Sequence, residues 1–360
     1  MKLKLAAATA LLCTALPSLA FLKVESKSTI NKDGSAKFTS IMEIDLSGPL
    51  AMMGQAGGKN PLGDGKEVLV GMMKSMNGLV DVWSDAKAEV TKGGATRISM
   101  SGFTKDWRAM GDLKKALSGT PQASQLPLDE FPEFKFMDMK SDSSGNTVVT
   151  MAGLDDIGAL LDAARKYAIK EGKQPKPGDM KVDRAEIEQG LKQAREQWGG
   201  LKGLVGPFVK GISVKSEIEV SGTITESSVF KKTSDTTATF SFSGDQLLSL
   251  VDQVITDEEL PGKIVDLVSA VEENFENEKS TAAVKKFIEP YLKSVYGGSA
   301  NPKIIIKPGA DAFDYAAETA KAKAAQSEEL KALIEEAGKS GGKVKLPGSS
   351  AAPSGKKKAA

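Results

Sequence analysis

Apolar and polar side chains alternate in paired stretches of the chain, and a turn signal separates the two members of each pair. The first pair covers 22–30 and 36–46 and turns at Asp33-Gly34. Period-two alternation gives a strand one apolar face, and an Asp-Gly turn between two such segments is a strong hairpin signal. Later pairs turn at Gly93-Gly94, across 141–146, and between 212–224 and 236–242. The sequence therefore predicts four β-hairpins.

Between these pairs the apolar positions change to helical spacing. Leu247, Leu248 and Val251 form one stripe, which Val254 and Ile255 continue, and such a stripe is typical of a helix with one buried face. Similar spacing predicts further helices over 66–76, 104–117, 155–169, 183–197, 261–274 and 281–296, a short strand over 303–307, and one solvated helix over 311–337. A glycine-rich stretch after Gln197 is expected to break or loosen the helix that precedes it.

Three hairpins run directly into a Gly-containing corner, at Ser101-Gly102, Ala152-Gly153 and Ser243-Gly244. Glycine lets the backbone turn, and an adjacent hydroxyl or carboxylate caps the first amides of a helix. A phosphate loop would need several glycines or a Gly-Lys-Ser/Thr end, which none of these corners has. We therefore predict strand-to-helix corners rather than anion sites.

These elements predict an α+β fold, with antiparallel sheets built from β-hairpins, each followed by a covering helix, plus C-terminal helices. An N-terminal α+β region and a C-terminal α+β region are separated by a linker that has no apolar period, and the pattern leaves open whether they form one unit. The expected segments are a signal peptide (1–20), the N-terminal region (21–170), the linker (171–182), the C-terminal region (183–307), a helical extension (308–338) and a disordered tail (339–360).

The first twenty residues predict export. Lys2 and Lys4 precede a short apolar run that ends at Ala20, as in a secretory signal peptide. No later segment offers the ~20 apolar residues of a membrane-spanning helix, so we expect no transmembrane segment in the mature chain and a periplasmic or secreted location. Cys13 lies behind two leucines rather than a small residue, which disfavours lipid attachment there.

Composition excludes several catalytic classes. The chain has no histidine, and Cys13 is its only cysteine. A Ser-His-Asp triad, a Cys-His pair and any zinc site built from His or Cys are therefore excluded from the mature chain. The 48 basic and 47 acidic residues are balanced, which does not favour nucleic acid as a partner. No catalytic residue, metal site or cofactor is singled out, and Asp155-Asp156 is interpreted as first-turn capping.

Methionine is the most informative side chain that remains. Five methionines fall within one Gly-interrupted region, Met52, Met53, Met72, Met73 and Met76. Flexible thioethers fill irregular cores, line adaptable apolar grooves or, less commonly, bind Cu(I). Core filling is the ordinary interpretation, and the groove interpretation makes these five residues a candidate site for an apolar ligand.

Together these features predict an exported, non-enzymatic protein of the cell envelope that binds an apolar ligand, such as a lipid, or an envelope partner. Two alternatives stay open. One is an exported hydrolase that works through carboxylates, which would need two converging acids with raised pKa values. The other is a structural envelope protein that associates through its C-terminal helix.

Overall fold

The α+β architecture predicted from the hydrophobic pattern is confirmed. A computed structural model describes residues 22–45, 64–110, 135, 137–172 and 183–339, and this part of the chain contains eleven strands and nine helices. The strands are β1 (Leu22–Ile30), β2 (Ala36–Ile44), β3 (Val82–Val90), β4 (Thr96–Thr104), β5 (Met137–Ser141), β6 (Thr147–Met151), β7 (Ser213–Val220), β8 (Gly222–Ser228), β9 (Lys231–Lys232), β10 (Thr237–Ser243) and β11 (Lys303–Pro308). The helices are α1 (Lys66–Ser75), α2 (Trp107–Met110), α3 (Leu154–Lys170), α4 (Arg184–Lys210), α5 (Gly244–Thr256), α6 (Leu260–Glu273), α7 (Glu278–Tyr296), α8 (Tyr315–Ala324) and α9 (Glu328–Gly338).

Seven strands form the larger sheet, in the order β3-β4-β2-β1-β7-β10-β9. Neighbouring strands are antiparallel except β1 and β7, which pair in parallel with Val24 beside Val214 and Ile30 beside Val220. Strands from the predicted N-terminal and C-terminal regions therefore share one sheet. The predicted linker between those regions lies largely outside the described residues, apart from Glu171 and Gly172.

A smaller sheet has the order β5-β6-β11-β8, and its edge strand β8 directly follows β7 of the larger sheet along the chain. The chain leaves β7 at Val220 and enters β8 at Gly222, so the expected continuous strand over 212–224 is wrong. Gly222 adopts φ 132, and a Cβ at this position would collide with the carbonyl oxygen of Lys307. Glycine is therefore the residue that allows the strand to change sheets here.

Alternation gives the larger sheet an apolar face, which carries Leu22, Val24 and Ile30 of β1, and a polar face, which carries Lys23, Glu25 and Lys27. Three buried clusters form on or beside the apolar face. The inter-sheet cluster joins both sheets through Ile30, Ala36, Ile218, Val220, Val149, Ile224, Ile304 and Ile306. The methionine cluster comprises Phe38, Leu69, Met73, Trp83, Ala86, Ile98, Met100, Leu330, Leu333 and Ala337. The helix-pair cluster lies between α4 and α5 and comprises Trp198, Val205, Val209, Ile212 and Leu248.

The corner predicted at Ser243-Gly244 is confirmed. Ser243 ends β10 and caps α5, with its Oγ accepting from the Gln246 amide and its own amide donating to Gln246 Oε1 at 2.7 Å. Gly244 packs so closely that a Cβ there would collide with the carbonyl of Val209. The second corner is confirmed at α3, where Asp156 accepts from the Gly153 amide at 2.9 Å. First-turn capping therefore accounts for this carboxylate.

The corner predicted at Ser101-Gly102 is wrong, because both residues lie inside β4 and the described helix begins only at Trp107. Gly102 is required there for close packing, since a Cβ would lie 2.8 Å from the carbonyl oxygen of Val82.

The predicted break after Gln197 is also wrong: α4 continues to Lys210. Burial of Trp198, Val205 and Val209 against α5 outweighs the low helix propensity of the intervening glycines.

The single solvated helix predicted over 311–337 is wrong in two respects. The segment forms two helices, α8 and α9, which are separated by Ala325, Gln326 and Ser327. In addition, α9 buries Leu330, Leu333 and Ala337.

Within the described residues, no helix combines the length and apolarity that crossing a membrane requires. The predicted signal peptide and most of the disordered tail lie outside the described residues.

Candidate functional site

Five apolar side chains lie together on the apolar face of the larger sheet, near the start of β1. We call them the sheet patch: Leu22, Val24, Met42, Ile44 and Val214. The strand register makes them neighbours, because Leu22 pairs with Ile44 and Val24 lies between Met42 and Val214. Residues paired in register project to the same side of a sheet, so these side chains form one continuous surface.

The sheet patch is only partly buried, unlike the other end of the same strands. Ile30, Ala36 and Val220 are on the same face and are 2%, 0% and 4% exposed. All five patch residues stay partly accessible, and none of them belongs to the three clusters formed by the described residues. The described chain therefore covers one end of the apolar face completely and the patch end incompletely.

A row of small hydroxyl side chains separates the patch from the buried end. Ser26, Ser40 and Ser216 are register neighbours, all partly exposed, and Ser26 Oγ donates to Ser216 Oγ at 3.1 Å. The row is flanked by Met100 of the methionine cluster and Phe240 of the inter-sheet cluster. Serine fills less volume than either flanking side chain, so the row forms a low strip between two taller clusters.

The patch borders the methionine cluster through a direct cross-strand pair. Met42 of the patch pairs with Ile98, which is fully buried in that cluster together with Met73. Met72 and Met76 pack against the cluster and stay partly exposed. Of the methionines in the predicted site, Met72 and Met73 thus lie on α1 and Met76 is its C-cap, and all three are in or against the methionine cluster. Met52 and Met53 lie outside the described residues.

The methionine cluster has a cover that the sequence did not indicate. Helix α9 packs against α1 and β3 and contributes Leu330, Leu333 and Ala337 to the cluster. Met73 is consequently only 1% exposed. For Met73, packing in a core is the observed environment, whereas Met72 and Met76 lie at the edge of that core.

The polar face contains a second candidate, a shallow cavity of about 160 Å³. It is lined by Lys27, Thr29, Lys37, Phe38, Thr39, Ser84, Ser101, Gly102 and Phe103. Lys27 lies 2.8 Å from Glu217, and Lys37 lies 3.3 Å from Glu318. Because each lysine already contacts a carboxylate, the cavity has no surplus positive charge with which to attract an anion.

The resolved pKa shifts of carboxylates in the described part of the chain all run in one direction. Wherever a shift is resolved for one of them, the pKa is lowered. Burial alone would raise the pKa of Asp138. Hydrogen bonds from Lys140 at 2.8 Å and from the Met139 amide at 2.9 Å act in the opposite direction, and the net result is a lowered pKa. A general acid at neutral pH needs the opposite shift. Among the described residues, no group of three or more acidic side chains is arranged to hold a metal ion.

The alternating pattern already placed Leu22, Val24, Met42 and Ile44 on one strand face. What it did not show is that this end of the face is left partly uncovered. Comparison of the chain with protein families, with curated proteins and with solved structures finds no match. The function is therefore inferred from the sheet patch and the adjoining methionine cluster alone.

Proposed function

We propose that the protein is an exported, non-enzymatic binder of an apolar ligand, such as a lipid acyl chain, and that the ligand lies on the sheet patch. The observation that carries the proposal is the contrast along β1, where Ile30 is buried while Leu22 and Val24 stay partly accessible on the same face. Contiguous accessible apolar surface is typical of binding sites in soluble proteins.

The surroundings of the patch support a ligand that is long and apolar. The serine row adjoins the patch as a low strip, and the flexible side chain of Met42 lies within the patch itself. Methionine side chains adapt to irregular apolar shapes at little cost. No charged residue occupies the apolar-face positions of β1, β2 or β7 within the described strands. The surface is therefore suited to hydrocarbon with an uncharged polar end.

The two alternative functions receive less support. A hydrolase would need a carboxyl group with a raised pKa, and the resolved shifts among the described carboxylates are all in the other direction. Association through the C-terminal helix would need a free apolar stripe, whereas Leu330 and Leu333 of α9 pack within the chain. Both observations favour a ligand site on the sheet over either alternative.

The proposal is tested by a matched pair of substitutions on β2. Met42→Lys places a charge in the sheet patch, and Ile41→Lys places the same charge on the neighbouring, partly buried position of the polar face. We expect the wild-type protein to bind a fluorescent polyunsaturated monoacylglycerol, whose polar end is uncharged. Met42→Lys should weaken this binding at least tenfold, because a lysine beside an acyl chain loses hydration. Ile41→Lys should bind like wild type.

Circular dichroism and thermal unfolding of both variants serve as the folding control. Equal affinity of the two variants would contradict the proposal, as would a wild-type protein that binds none of the probe. Mass spectrometry of an organic extract from protein purified out of its exported compartment identifies the natural ligand. A stoichiometric apolar molecule is the expected result.

A further inference from the structure

The last described segment of the chain wraps around one edge of the larger sheet. After β11 it passes the first hairpin turn, and α8 then lies on the polar face, where Tyr315 donates to Asp81 at 2.9 Å and Glu318 contacts Lys37. Gln326 next donates to the carbonyl oxygen of Trp83 on edge strand β3 at 2.7 Å. Beyond this point α9 packs on the apolar face.

The two ends of this segment are attached in different ways. Its start is held by a buried polar node, in which Asn31, 3% exposed, donates to the Phe313 carbonyl and accepts from the Ala312 amide at 2.9 Å. Ser221 accepts from the same Ala312 amide. Buried amide contacts of this kind are costly to break, because each freed group would remain without water. The start of the segment is therefore a fixed anchor.

The far end is held mainly by one apolar stripe. Helix α9 contributes three buried side chains to the methionine cluster, and its ion pair, Lys66 to Glu336 at 3.7 Å, joins two side chains that are more than half exposed. Exposed pairs of this kind add little stability. Between anchor and stripe, α8 buries none of its own residues. Release of α9 would leave the anchor and both sheets intact.

We propose that α9 is a detachable cover, and that its release opens the methionine cluster to the same apolar ligand that the sheet patch binds. Release would uncover apolar surface of the methionine cluster on α1 and β3, the two elements that α9 contacts, and this cluster joins the patch through the Ile98–Met42 pair. The ligand then takes the place of the apolar stripe of α9. This inference rests on the proposed function and adds its regulation.

Hydrogen exchange of the ligand-free protein tests whether α9 detaches independently of the sheet. We expect α9 amides to exchange through an opening that leaves β1, β2 and β7 protected, because α9 detaches as a unit. Adding the monoacylglycerol probe should speed exchange in α9 and slow it in α1. Exchange of α9 only together with the sheet strands would overturn the inference, whatever the protein binds.

A reversible crosslink tests the coupling to binding. In a protein carrying Cys13→Ser, Lys66→Cys and Glu336→Cys are joined by a bis-maleimide whose spacer contains a disulfide. The matched control joins Lys331→Cys and Glu335→Cys, two exposed positions within α9 itself. We expect the first crosslink to weaken probe binding at least tenfold, with recovery after reduction, and the control crosslink to change nothing.

Equal probe affinity of the locked and reduced forms would overturn the inference while leaving the proposed function standing. If neither form nor the wild-type protein binds the probe, the proposed function fails. In that case the hydrogen-exchange result decides whether α9 is a detachable cover.

Discussion

Two neighbouring parts of one sheet face differ in how completely they are covered. Ile98 and Met100 of β4 lie in the methionine cluster, to which α1 and α9 also contribute, and are 0% and 3% exposed. One strand away, Met42 of the sheet patch stays accessible, although it pairs directly with Ile98. The strands have the same apolar character at both places. The difference arises from two helices, α1 and α9, of which α9 lies more than two hundred residues later in the chain.

This contrast shows how apolar surface is divided between stability and binding. A covered apolar side chain stabilises the folded state by the full area that folding removes from water. A partly accessible side chain leaves some apolar area in water, and a ligand that covers this area gains binding free energy. The patch is therefore expected to be tolerant of substitution and important for binding. Direct substitutions of the buried side chains of the methionine cluster should instead destabilise the fold.

The largest expected difference comes from truncating the cross-strand pair itself. Ile98→Ala should lower the free energy of unfolding by about 2–5 kcal/mol, because it leaves a cavity in the methionine cluster. Met42→Ala should cost less than about 1.5 kcal/mol, since the side chain is already partly in water. Urea denaturation of both variants measures the difference. Equal losses would mean that the patch is as buried as the cluster.

Removing the anchor of the C-terminal segment should have the next largest effect. Asn31→Ala leaves the Phe313 carbonyl and the Ala312 amide with fewer partners, and we expect a loss of about 1–3 kcal/mol in unfolding free energy. Hydrogen exchange should rise first in residues 312–339. The turn variant Asn146→Ala in the third hairpin provides the comparison, and it should leave exchange in 312–339 unchanged.

Alkaline pH should loosen the same segment through Tyr315. Burial, followed by the hydrogen bond to Asp81, raises the pKa of this phenol above its ordinary value of ~10. A raised pKa in the folded state stabilises folding below pH ~10, and that contribution is lost as the pH rises further. The unfolding free energy of wild type should therefore fall more steeply above pH ~10 than that of Tyr315→Phe. Parallel pH profiles would contradict this assignment.

The smallest effect is expected from the exposed ion pair that bridges α1 and α9. Lys66→Ala should change the unfolding free energy by less than about 1 kcal/mol, because both partners are largely solvated. Denaturation at low and high salt provides the measurement. A larger loss at low salt would show that charge, and not the stripe of Leu330 and Leu333, holds α9 in place.

The sequence was a good guide to local elements. The hairpin turns at Gly34, Gly94 and Gly145, the cap at Ser243 and the short strand of β11 are where turn chemistry and alternation predicted them. The stripe over α5 and the helices α6 and α7 are likewise as predicted. Each of these features depends on residues close together in the chain, so a sequence pattern is enough to predict it.

The candidate site was predictable only in part. Alternation placed Leu22, Val24 and Met42 on one face, and composition drew attention to the methionines of α1. The pattern did not show that β1 would pair with β7, in which Ser26 meets Ser216 across 190 residues. It also predicted α9 as a solvated helix, because its apolar stripe is short and the surrounding composition is rich in Ala, Lys and Glu.

The sequence by itself determined the class of fold, the strands with their two faces, the helix caps and the absence of histidine chemistry. Only the tertiary structure decided which apolar surfaces are covered: Gly222 carries a strand from one sheet to the other, and α9 closes over Met73 but stops short of Met42. The physical reason is that alternation and capping are local, whereas coverage depends on contacts between segments far apart in the chain.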